Sequence, residues 1–294
     1  MSNLMKSNSS QDYQIKKVFN NNVVLVTQGD QLDNSSKEVI LVGKGLGFAK
    51  KAGDIIENDS LNIDKEFIPA NDEKKEQYNQ LVKTVNEEII GLTTEIIAMV
   101  SEELNEELDK HIHIALTDHI AFALKRIKEG MEISNPFLPE TKTLYNEEYR
   151  LAKKAVEMIE ERSGIPIPEG EVGFITLHIH GARTKQGVSR AVKYTSLIKE
   201  MIDFIEGRLE IAISHDSLNY ARLVSHLRFA LERIETNKIN QNPLLEKIKD
   251  DLKQSYQIAE ELSDLIYKRL EIVVPDDEKG YLAMHLERLK KNLD

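Results

Sequence analysis

The spacing of hydrophobic residues changes once along the chain, near Asn71. Before this point the segments YQIKKVF, NVVLVT and KEVILVG are short, rich in Val and Ile, and bounded by Asn, Gly, Asp and Ser, which is typical of β-strands joined by turns. After it, from Leu81 to Val100 and beyond, apolar residues recur with the period of an amphipathic helix. The pattern predicts a small all-β domain followed by helices up to the C-terminus.

The helical part contains an internal repeat. LTDHIAFALKRIK (116–128) aligns with LVSHLRFALERIE (223–235) with seven identities in 13 positions, and PEGEVGFITLH (168–178) aligns with PDDEKGYLAMH (275–285) at the same offset of 107 residues. No gap is needed between the two windows, so this region is a tandem duplication with its boundary between Gly181 and Arg190. We therefore expect an all-β domain at 1–72 and two duplicated all-α helical bundles at 73–185 and 186–294.

The composition excludes several classes of protein. The net charge is −11, and most of the acidity lies after residue 72, which argues against a protein that binds nucleic acid regardless of its sequence. The chain has no cysteine, so disulfides, thiolate metal sites and cysteine nucleophiles are excluded. No stretch approaches the roughly 18 apolar residues that cross a bilayer, and the polar start lacks the apolar core of a secretory signal. A cytoplasmic protein without membrane insertion is expected.

The duplication divides the eight histidines into two groups. His119 aligns with His226 and His178 with His285; within each copy the two residues are 59 positions apart. We call His119 and His178 the first histidine pair, and His226 and His285 the second. The remaining histidines have no firm counterpart: His111, His113, His180 and His215.

The paired histidines admit three interpretations. A single histidine at the margin of an apolar helix face is more often a packed structural residue, but two in each of two copies favour a metal site or a pair of phosphoryl acceptors. The HIH runs at 111–113 and 178–180 are similar to the H-x-H of metal-dependent hydrolases, where alternate strand residues converge on an ion. On a helix, residues i and i+2 point about 200° apart and cannot share one ion, so the metal interpretation is disfavoured.

The strand-rich segment carries residue types that suit RNA recognition. Asn20 and Asn22 offer amide groups to base edges, Lys17 can neutralise a phosphate, and Phe48 can stack on a base. Gly43 and Gly45 would let the backbone approach RNA closely. Taken alone, NNN is more often a turn and GxG more often part of a hairpin.

The motifs resemble those of one known family. LTDHIAFALKR, PEGEVGFITLHIH, SHLRFALERI and AMHLERL resemble the PTS regulation domains (PRDs) of BglG/SacY-type transcriptional antiterminators, which respond to the sugar phosphotransferase system (PTS). KKVFNNNVVLV and VGKGLGFAKKAGD resemble the co-antiterminator (CAT) RNA-binding domain of the same family. The GKG form and the run HIHIALTDHIAFA are most similar to its glucose-specific branch. The polar loop GDQLDNSSK is longer than usual, and Ser225 stands where the first copy has Asp118.

The resemblance implies a function and a set of site residues. A homodimer would bind a leader-mRNA hairpin and prevent a terminator from forming upstream of glucose phosphotransferase genes. The RNA contacts would be Lys17, Asn20, Asn22, Gly43, Lys44, Gly45 and Phe48. The glucose-specific PTS enzyme II would phosphorylate the first histidine pair, chiefly His119, and silence the protein, whereas the phosphocarrier HPr would act mainly on His226 and His285. The protein would be a phosphoacceptor without enzymatic turnover, cofactor or metal.

Two points stay open in the sequence. Arg126 and Arg233 follow His119 and His226 by seven residues, and they are either cations that receive a phosphoryl group or surface salt-bridge partners. A PRD-containing DNA-binding activator is the alternative function, and it requires a helix-turn-helix before residue 75. An enzyme that uses the histidines directly is a further rival, and it predicts turnover and metal dependence.

Overall fold

The computed structural model describes residues 12–28, 37–56, 63–67, 80–238 and 240–293. The N-terminal residues 1–11, most of the GDQLDNSSK loop and the expected domain boundary at residue 72 lie outside these ranges. Within the described residues, no helix combines the length and the hydrophobicity needed to cross a bilayer.

The N-terminal part is an antiparallel sheet with the strand order β4-β1-β2-β3-β5. Its strands are β1 (Tyr13–Val18), β2 (Val23–Gln28), β3 (Lys37–Val42), β4 (Ile55–Ile56) and β5 (Lys65–Phe67). The first three coincide with the Val- and Ile-rich segments of the sequence. The described residues before residue 75 contain no helix-turn-helix, so they give no support to the DNA-binding alternative.

Both faces of the sheet are apolar, because strands β2 and β3 are nearly continuous runs of Val, Ile and Leu. Val24, Val26, Val39 and Leu41 point to one face and form a core that belongs to the sheet alone. On the opposite face, Val23, Ile40, Val42 and Phe19 pack against Ile90 and Ala98 of the first long helix. The second face is therefore buried by the helical half of the chain.

Helices account for the chain after residue 86. They are α1 (Glu87–Leu104), α2 (Ile112–Lys128), α3 (Leu138–Leu144), α4 (Asn146–Ser163), α5 (Glu169–Arg183), α6 (Val188–Leu209), α7 (Leu218–Glu235), α8 (Leu245–Asp251), α9 (Lys253–Leu270) and α10 (Asp276–Leu293). The prediction of a small all-β domain followed by duplicated helical domains is confirmed.

Local signals set several helix ends. The Asn86 side chain accepts a hydrogen bond from the Glu88 backbone N–H (2.8 Å) at the start of α1, as N-cap residues do. Helix α2 ends just before Gly130, whose φ of +73° suits a residue without a side chain. Helix α5 begins directly after Pro168, and proline is well suited to the start of a helix.

The chain forms two compact units, Met1–Ser134 with Arg150–Val188, and Asn135–Tyr149 with Ser189–Asp294. The first unit holds the sheet and the pair α2 and α5, and the second holds the equivalent pair α7 and α10. In the second unit, Glu140 of α3 accepts a hydrogen bond from the buried Tyr220 hydroxyl (2.7 Å). The division into three domains at residues 72 and 185 stays a prediction.

Gly181 provides a test of the packing at the end of α5. A Cβ atom at this position would lie 2.6 Å from the backbone C of Gly187 and from the backbone N of Val188, which cannot move away as a flexible side chain can. We expect Gly181→Ala to lower the free energy of unfolding by roughly 1 to 3 kcal/mol. Thermal or urea unfolding of the purified protein measures the change.

The matched control is Gly207→Ala in α6, where no atom lies within 4 Å of the added Cβ. This substitution should be neutral or stabilising by up to about 1 kcal/mol, because alanine favours a helix over glycine. Equal effects at the two positions would contradict the tight packing of Gly181.

Candidate RNA-binding surface and histidine pairs

The predicted RNA contacts lie on two adjoining loops of the sheet. The β1–β2 turn contains Asn20 and Asn22, and the loop after β3 contains Gly43, Gly45 and Phe48. The Gly45 backbone N–H donates to the Asn22 Oδ1 (3.0 Å), and the Gly43 N–H donates to the Asn22 carbonyl (2.9 Å). These hydrogen bonds hold the two loops together as one surface.

Lys44, Gly45 and Phe48 are the exposed members of this surface. The Phe48 ring is 68% exposed, although it is large and apolar. Lys44 is also exposed, and Gly45 beside it has a φ of +76°, which favours glycine. A solvent-facing ring next to a lysine is the arrangement that stacks on an unpaired base while neutralising a phosphate.

The other polar members are paired with acidic residues of α1. Asn20 Nδ2 donates to Glu95 Oε1 (2.6 Å), and Asn22 Nδ2 donates to Glu95 Oε2 (3.0 Å). Lys17 Nζ lies 2.9 Å from Glu87 Oε1. The amide and ammonium donors that RNA would use are thus bound to two carboxylates of the helical half.

The contact between the turn and α1 is close. A Cβ atom on Gly91 would overlap the Asn20 side chain, so the glycine lets the asparagine lie directly against this side of α1. Glu95 is also 3.6 Å from Arg162 Nη2 and its side chain is only 14% exposed. Sequence patterns did not indicate Glu87, Gly91 or Glu95 as parts of the site.

The first histidine pair lies where α2 packs against α5. The ring centroids of His119 and His178 are 4.8 Å apart, so the structure brings these two predicted residues together. His119 Nε2 is 3.2 Å from Glu171 Oε2, and Arg126 donates to Oε1 of the same carboxylate. Glu171 is 2% exposed and Arg126 is 8% exposed.

The second histidine pair has the same plan. The rings of His226 and His285 stack with centroids 3.4 Å apart and an angle of 17° between their planes. Arg233 donates through Nε and Nη2 to the two oxygens of Glu278 at 2.8 and 2.6 Å. Glu278 is fully buried. Each copy therefore combines two histidines, one arginine and one buried glutamate.

These ion pairs bear on the expectation for the two arginines. Arg126 and Arg233 were expected to be either cations that receive a phosphoryl group or surface salt-bridge partners; they form salt bridges, but with glutamates inside the protein. Each binds a glutamate that is buried, because an isolated carboxylate in a protein interior would be strongly destabilising. Glu171 and Glu278 were missed, although they are identical residues at the 107-residue offset of the repeat.

Burial lowers the pKa of His178, His226 and His285. Loss of solvent, followed by the charges of His119 and His111, lowers the pKa of His178 to about 3. Burial, with His226, Arg233 and Arg288, lowers the pKa of His285 to about 4. Burial and the neighbouring arginines also lower the pKa of His226. A neutral imidazole has the nitrogen lone pair that attacks phosphorus.

The unpaired histidines lie in other surroundings. His111 precedes the first turn of α2, and burial lowers the pKa of His113, whose ring packs against Phe67, to about 4. His180 lies on α5, and His215 contacts the Tyr220 ring at 4.8 Å. In the part of the chain that the structure describes, no three His, Asp or Glu residues are arranged to hold a metal ion.

Two domain families match the chain. The CAT RNA binding domain matches residues 13–76, and the PRD domain matches residues 94–182 and 199–289. The PtsGHI operon antiterminator of Bacillus subtilis (strain 168) is 38% identical over 283 residues, which are 96% of this chain and 98% of that protein. The chain belongs to this antiterminator family. The sheet is thus part of its CAT domain, and the two histidine pairs lie in its first and second PRDs.

A second relative agrees with this assignment. The protein GlcT of Staphylococcus haemolyticus (strain JCSC1435) is 32% identical over 284 residues, which are 96% of this chain and 98% of GlcT. A solved structure described as "Crystal structure of GlcT CAT-PRDI" is 44% identical, covers 59% of this chain and 99% of its own, and has a TM-score of 0.49. Antiterminators are regulatory RNA-binding proteins and not enzymes.

The buried histidines predict a loss of stability in acid. Unfolded histidines titrate near pH 6.5, whereas His113, His178 and His285 have folded pKa values of about 4, 3 and 4. Below pH 6.5 the unfolded state therefore binds more protons, so the stability is complete above this pH and falls as the pH decreases towards the folded values. Below pH 6.5, each of these histidines lowers the free energy of unfolding by up to about 1.4 kcal/mol for every unit by which the pH decreases.

We expect His178→Asn to remove one of these contributions. Urea unfolding at pH 7.5 and pH 5 should show a smaller loss of stability for the variant than for the wild type, by roughly 1 to 2 kcal/mol. The comparison is between the two pH values within each protein, which cancels any effect of the substitution on packing. Parallel pH dependences would show that His178 is not held neutral.

Proposed function

We propose that the protein is a glucose-responsive antiterminator, which acts as a homodimer in the cytoplasm and binds a leader-RNA hairpin through Lys17, Asn20, Asn22, Gly43, Lys44, Gly45 and Phe48. Phosphorylation at the four paired histidines by the glucose-specific enzyme II and by HPr regulates this binding. The family assignment supports RNA binding and PTS control. The relatives named PtsGHI operon antiterminator and GlcT favour the glucose system.

One observation supports direct control of the RNA surface by the first PRD. Glu95 binds the side-chain amides of both Asn20 and Asn22, and Glu87 binds Lys17. A carboxylate offers the same kind of acceptor as a phosphate oxygen or a base carbonyl. RNA and helix α1 therefore compete for the same donors, and the structure corresponds to a closed state of the surface.

The apolar second face of the sheet also supports the proposal of a homodimer. Its second face, with Val23, Ile40 and Val42, is buried by Ile90 and Ala98 of α1. When α1 moves away from the asparagines, this apolar face loses part of its cover. A second copy of the sheet restores the burial, since apolar area removed from water contributes roughly 25 cal/mol per Å². Closure by α1 and dimerisation are then alternative ways of covering one face.

The first histidine pair is placed to bias this choice. His119 lies on α2, and α2 packs along α1, which carries Glu95. A phosphoryl group of about −1.5 to −2 charges on His119 would stand beside the buried Glu171 carboxylate. Repulsion between them must be relieved by a shift of α2 or of the Glu171–Arg126 pair, and phosphorylation silences the protein when this shift favours the closed position of α1 on the RNA surface.

The competition predicts the effect of removing Glu95. In the full-length protein, Glu95→Ala frees the amides of Asn20 and Asn22 and should tighten binding of the leader hairpin by about tenfold, since a hydrogen bond to a charged group contributes roughly 1.5 to 3 kcal/mol. A gel-shift or fluorescence titration at fixed salt measures the dissociation constant. Glu88→Ala is the matched control, because Glu88 is an exposed acid of the same helix.

A substitution of the exposed Phe48 provides a control that should weaken RNA binding, whereas Glu95→Ala should tighten it. Phe48→Ala should lose binding while the protein stays folded, because the ring is largely outside the core. If Glu95→Ala binds no better than Glu88→Ala while Phe48→Ala loses binding, the RNA surface is correct and the competition with α1 is wrong. Wild-type affinity in a folded Phe48→Ala protein would contradict the surface itself.

The silencing role of His119 predicts constitutive activity without it. His119→Ala removes the acceptor, so antitermination should become independent of glucose and remain high in its absence. Readthrough of a terminator reporter in glucose-free cells should approach the level that the wild type reaches with glucose. Moving a population from mostly inactive to mostly active requires roughly 3 to 5.5 kcal/mol of differential stability.

His215→Ala is the control for the loss of a histidine, since His215 lies outside both pairs. It should retain the glucose response of the wild type. If a stably expressed His119→Ala protein stays as silent as the wild type without glucose, His119 is not the negative acceptor.

A further inference from the structure

The two histidine pairs open onto equivalent cavities with different linings. In the second unit the cavity beside His226 and His285 has a volume of about 30 Å³ and is lined by Arg222 and Arg288. In the first unit the cavity beside His178 has a volume of about 470 Å³. The 107-residue offset places Ala115 where the second copy has Arg222, and Gly181 where it has Arg288, and both line the larger cavity.

The two arginines are positioned by their helices. Arg222 precedes His226 by one turn of α7, and Arg288 follows His285 by about one turn of α10, so each arginine shares a helix face with its histidine. Both side chains are exposed, and neither forms an ion pair with any residue that the structure describes. Arg233, by contrast, is already bound to Glu278.

The first copy cannot build the same site. Gly181 is in contact with the backbone of Gly187 and Val188, where even a Cβ atom would be 2.6 Å away, so an arginine cannot replace it without a shift of the loop. The charged and titratable groups that line this cavity are Asp109, His111 and Lys185, besides His178 itself. No arginine lines it.

We propose that Arg222 and Arg288, together with His226 and His285, form a phosphoryl-binding site in the second PRD, in which the two guanidinium groups bind the phosphoryl group that one of the histidines accepts. This inference rests on the proposed phosphorylation and specifies how the second PRD holds the group. Guanidinium groups bind phosphate oxygens through paired, charge-assisted hydrogen bonds.

A donor that carries its phosphoryl group on a histidine can transfer this group to His226 or His285 with all bonds, electrons and protons accounted for. The lone pair of a neutral imidazole nitrogen attacks phosphorus and forms an N–P bond, while the N–P bond of the donor breaks and its electron pair stays on the donor nitrogen. The accepting ring loses the proton of its other nitrogen to solvent, and the donor ring takes up one proton. The lowered pKa values of His226 and His285 keep the acceptor in the neutral form that this step requires.

The two copies then respond differently to the same modification. Two guanidinium charges neutralise a phosphoryl group of about −1.5 to −2 charges in the second PRD. In the first PRD the same group meets Glu171 at the histidine pair, and Arg126 is already bound to that glutamate. Phosphorylation is accommodated locally in the second copy and is electrostatically strained in the first.

The test uses the full-length protein with Arg222→Ala and Arg288→Ala combined. Each protein is equilibrated with a fixed ratio of phosphorylated to free HPr, and peptide mass spectrometry measures the phosphorylated fraction of each histidine pair. We expect the equilibrium constant for the second pair to fall by about tenfold, because charge-assisted hydrogen bonds are lost, while that for the first pair is unchanged. Arg208→Ala combined with Arg228→Ala removes the same charge from other faces of this unit.

A second measurement separates this site from the proposed function. Titration with inorganic phosphate, followed by the ring NMR signals of His226 and His285, should show saturable shifts in the wild type and none in the double variant. If the second pair accepts no phosphoryl group but these shifts occur and depend on the arginines, the site stands and the proposed phosphorylation of the second PRD is wrong. Equal phosphorylation of the variant and the wild type, or no arginine-dependent shift, overturns the site.

Discussion

The organisation of the first unit depends on one constraint, the second apolar face of the N-terminal sheet. Strands β2 and β3 are hydrophobic on both sides, so a sheet of this size cannot leave either side in water without losing much of its stability. Helix α1 covers that face through Ile90 and Ala98, and this packing brings Glu87 and Glu95 to the edge where the proposed RNA contacts lie. Hydrophobic burial thus fixes the position of α1, and the acidic residues that α1 carries pair with the side chains proposed to bind RNA.

Buried carboxylates have a comparable part in the histidine pairs. Glu171 and Glu278 are inaccessible to solvent, and each is stabilised by an arginine of the neighbouring helix. Such an ion pair contributes little net stability compared with an apolar substitute, but removing one partner leaves an isolated buried charge. Each buried ion pair therefore holds a fixed charge close to the two imidazoles. A new negative charge on a partly buried ring is only partly screened by solvent, so nearby charges of the protein have a large effect on it.

The sequence was sufficient for those features that depend on local pattern. The Val- and Ile-rich strands, the start of α5 after Pro168 and the end of α2 before Gly130 follow from periodicity and capping, and the repeat brought out the histidine pairs. The contact of Asn20 with Glu95 was not predictable, because it joins residues 75 positions apart that share no pattern. The place of Asn135–Tyr149 in the second unit was likewise not foreseen, since its own sequence belongs to the first copy of the repeat.

The comparison of the two PRDs supports the proposal that the two copies of a duplicated domain respond differently to a phosphoryl group. The histidines, the buried glutamate and its arginine occupy the same positions in both copies, which preserves the packing of α2 on α5 and of α7 on α10. The copies differ at the cavity beside the histidine pair. Arg222 and Arg288 line this cavity in the second PRD, and Ala115 and Gly181 line it in the first. These positions are at the surface, so their charge can change without disturbing the core. Since the electrostatic energy of a phosphoryl group depends mainly on the cations within a few ångströms, the proposed site would change the effect of that group from strain to stabilisation through these two positions alone.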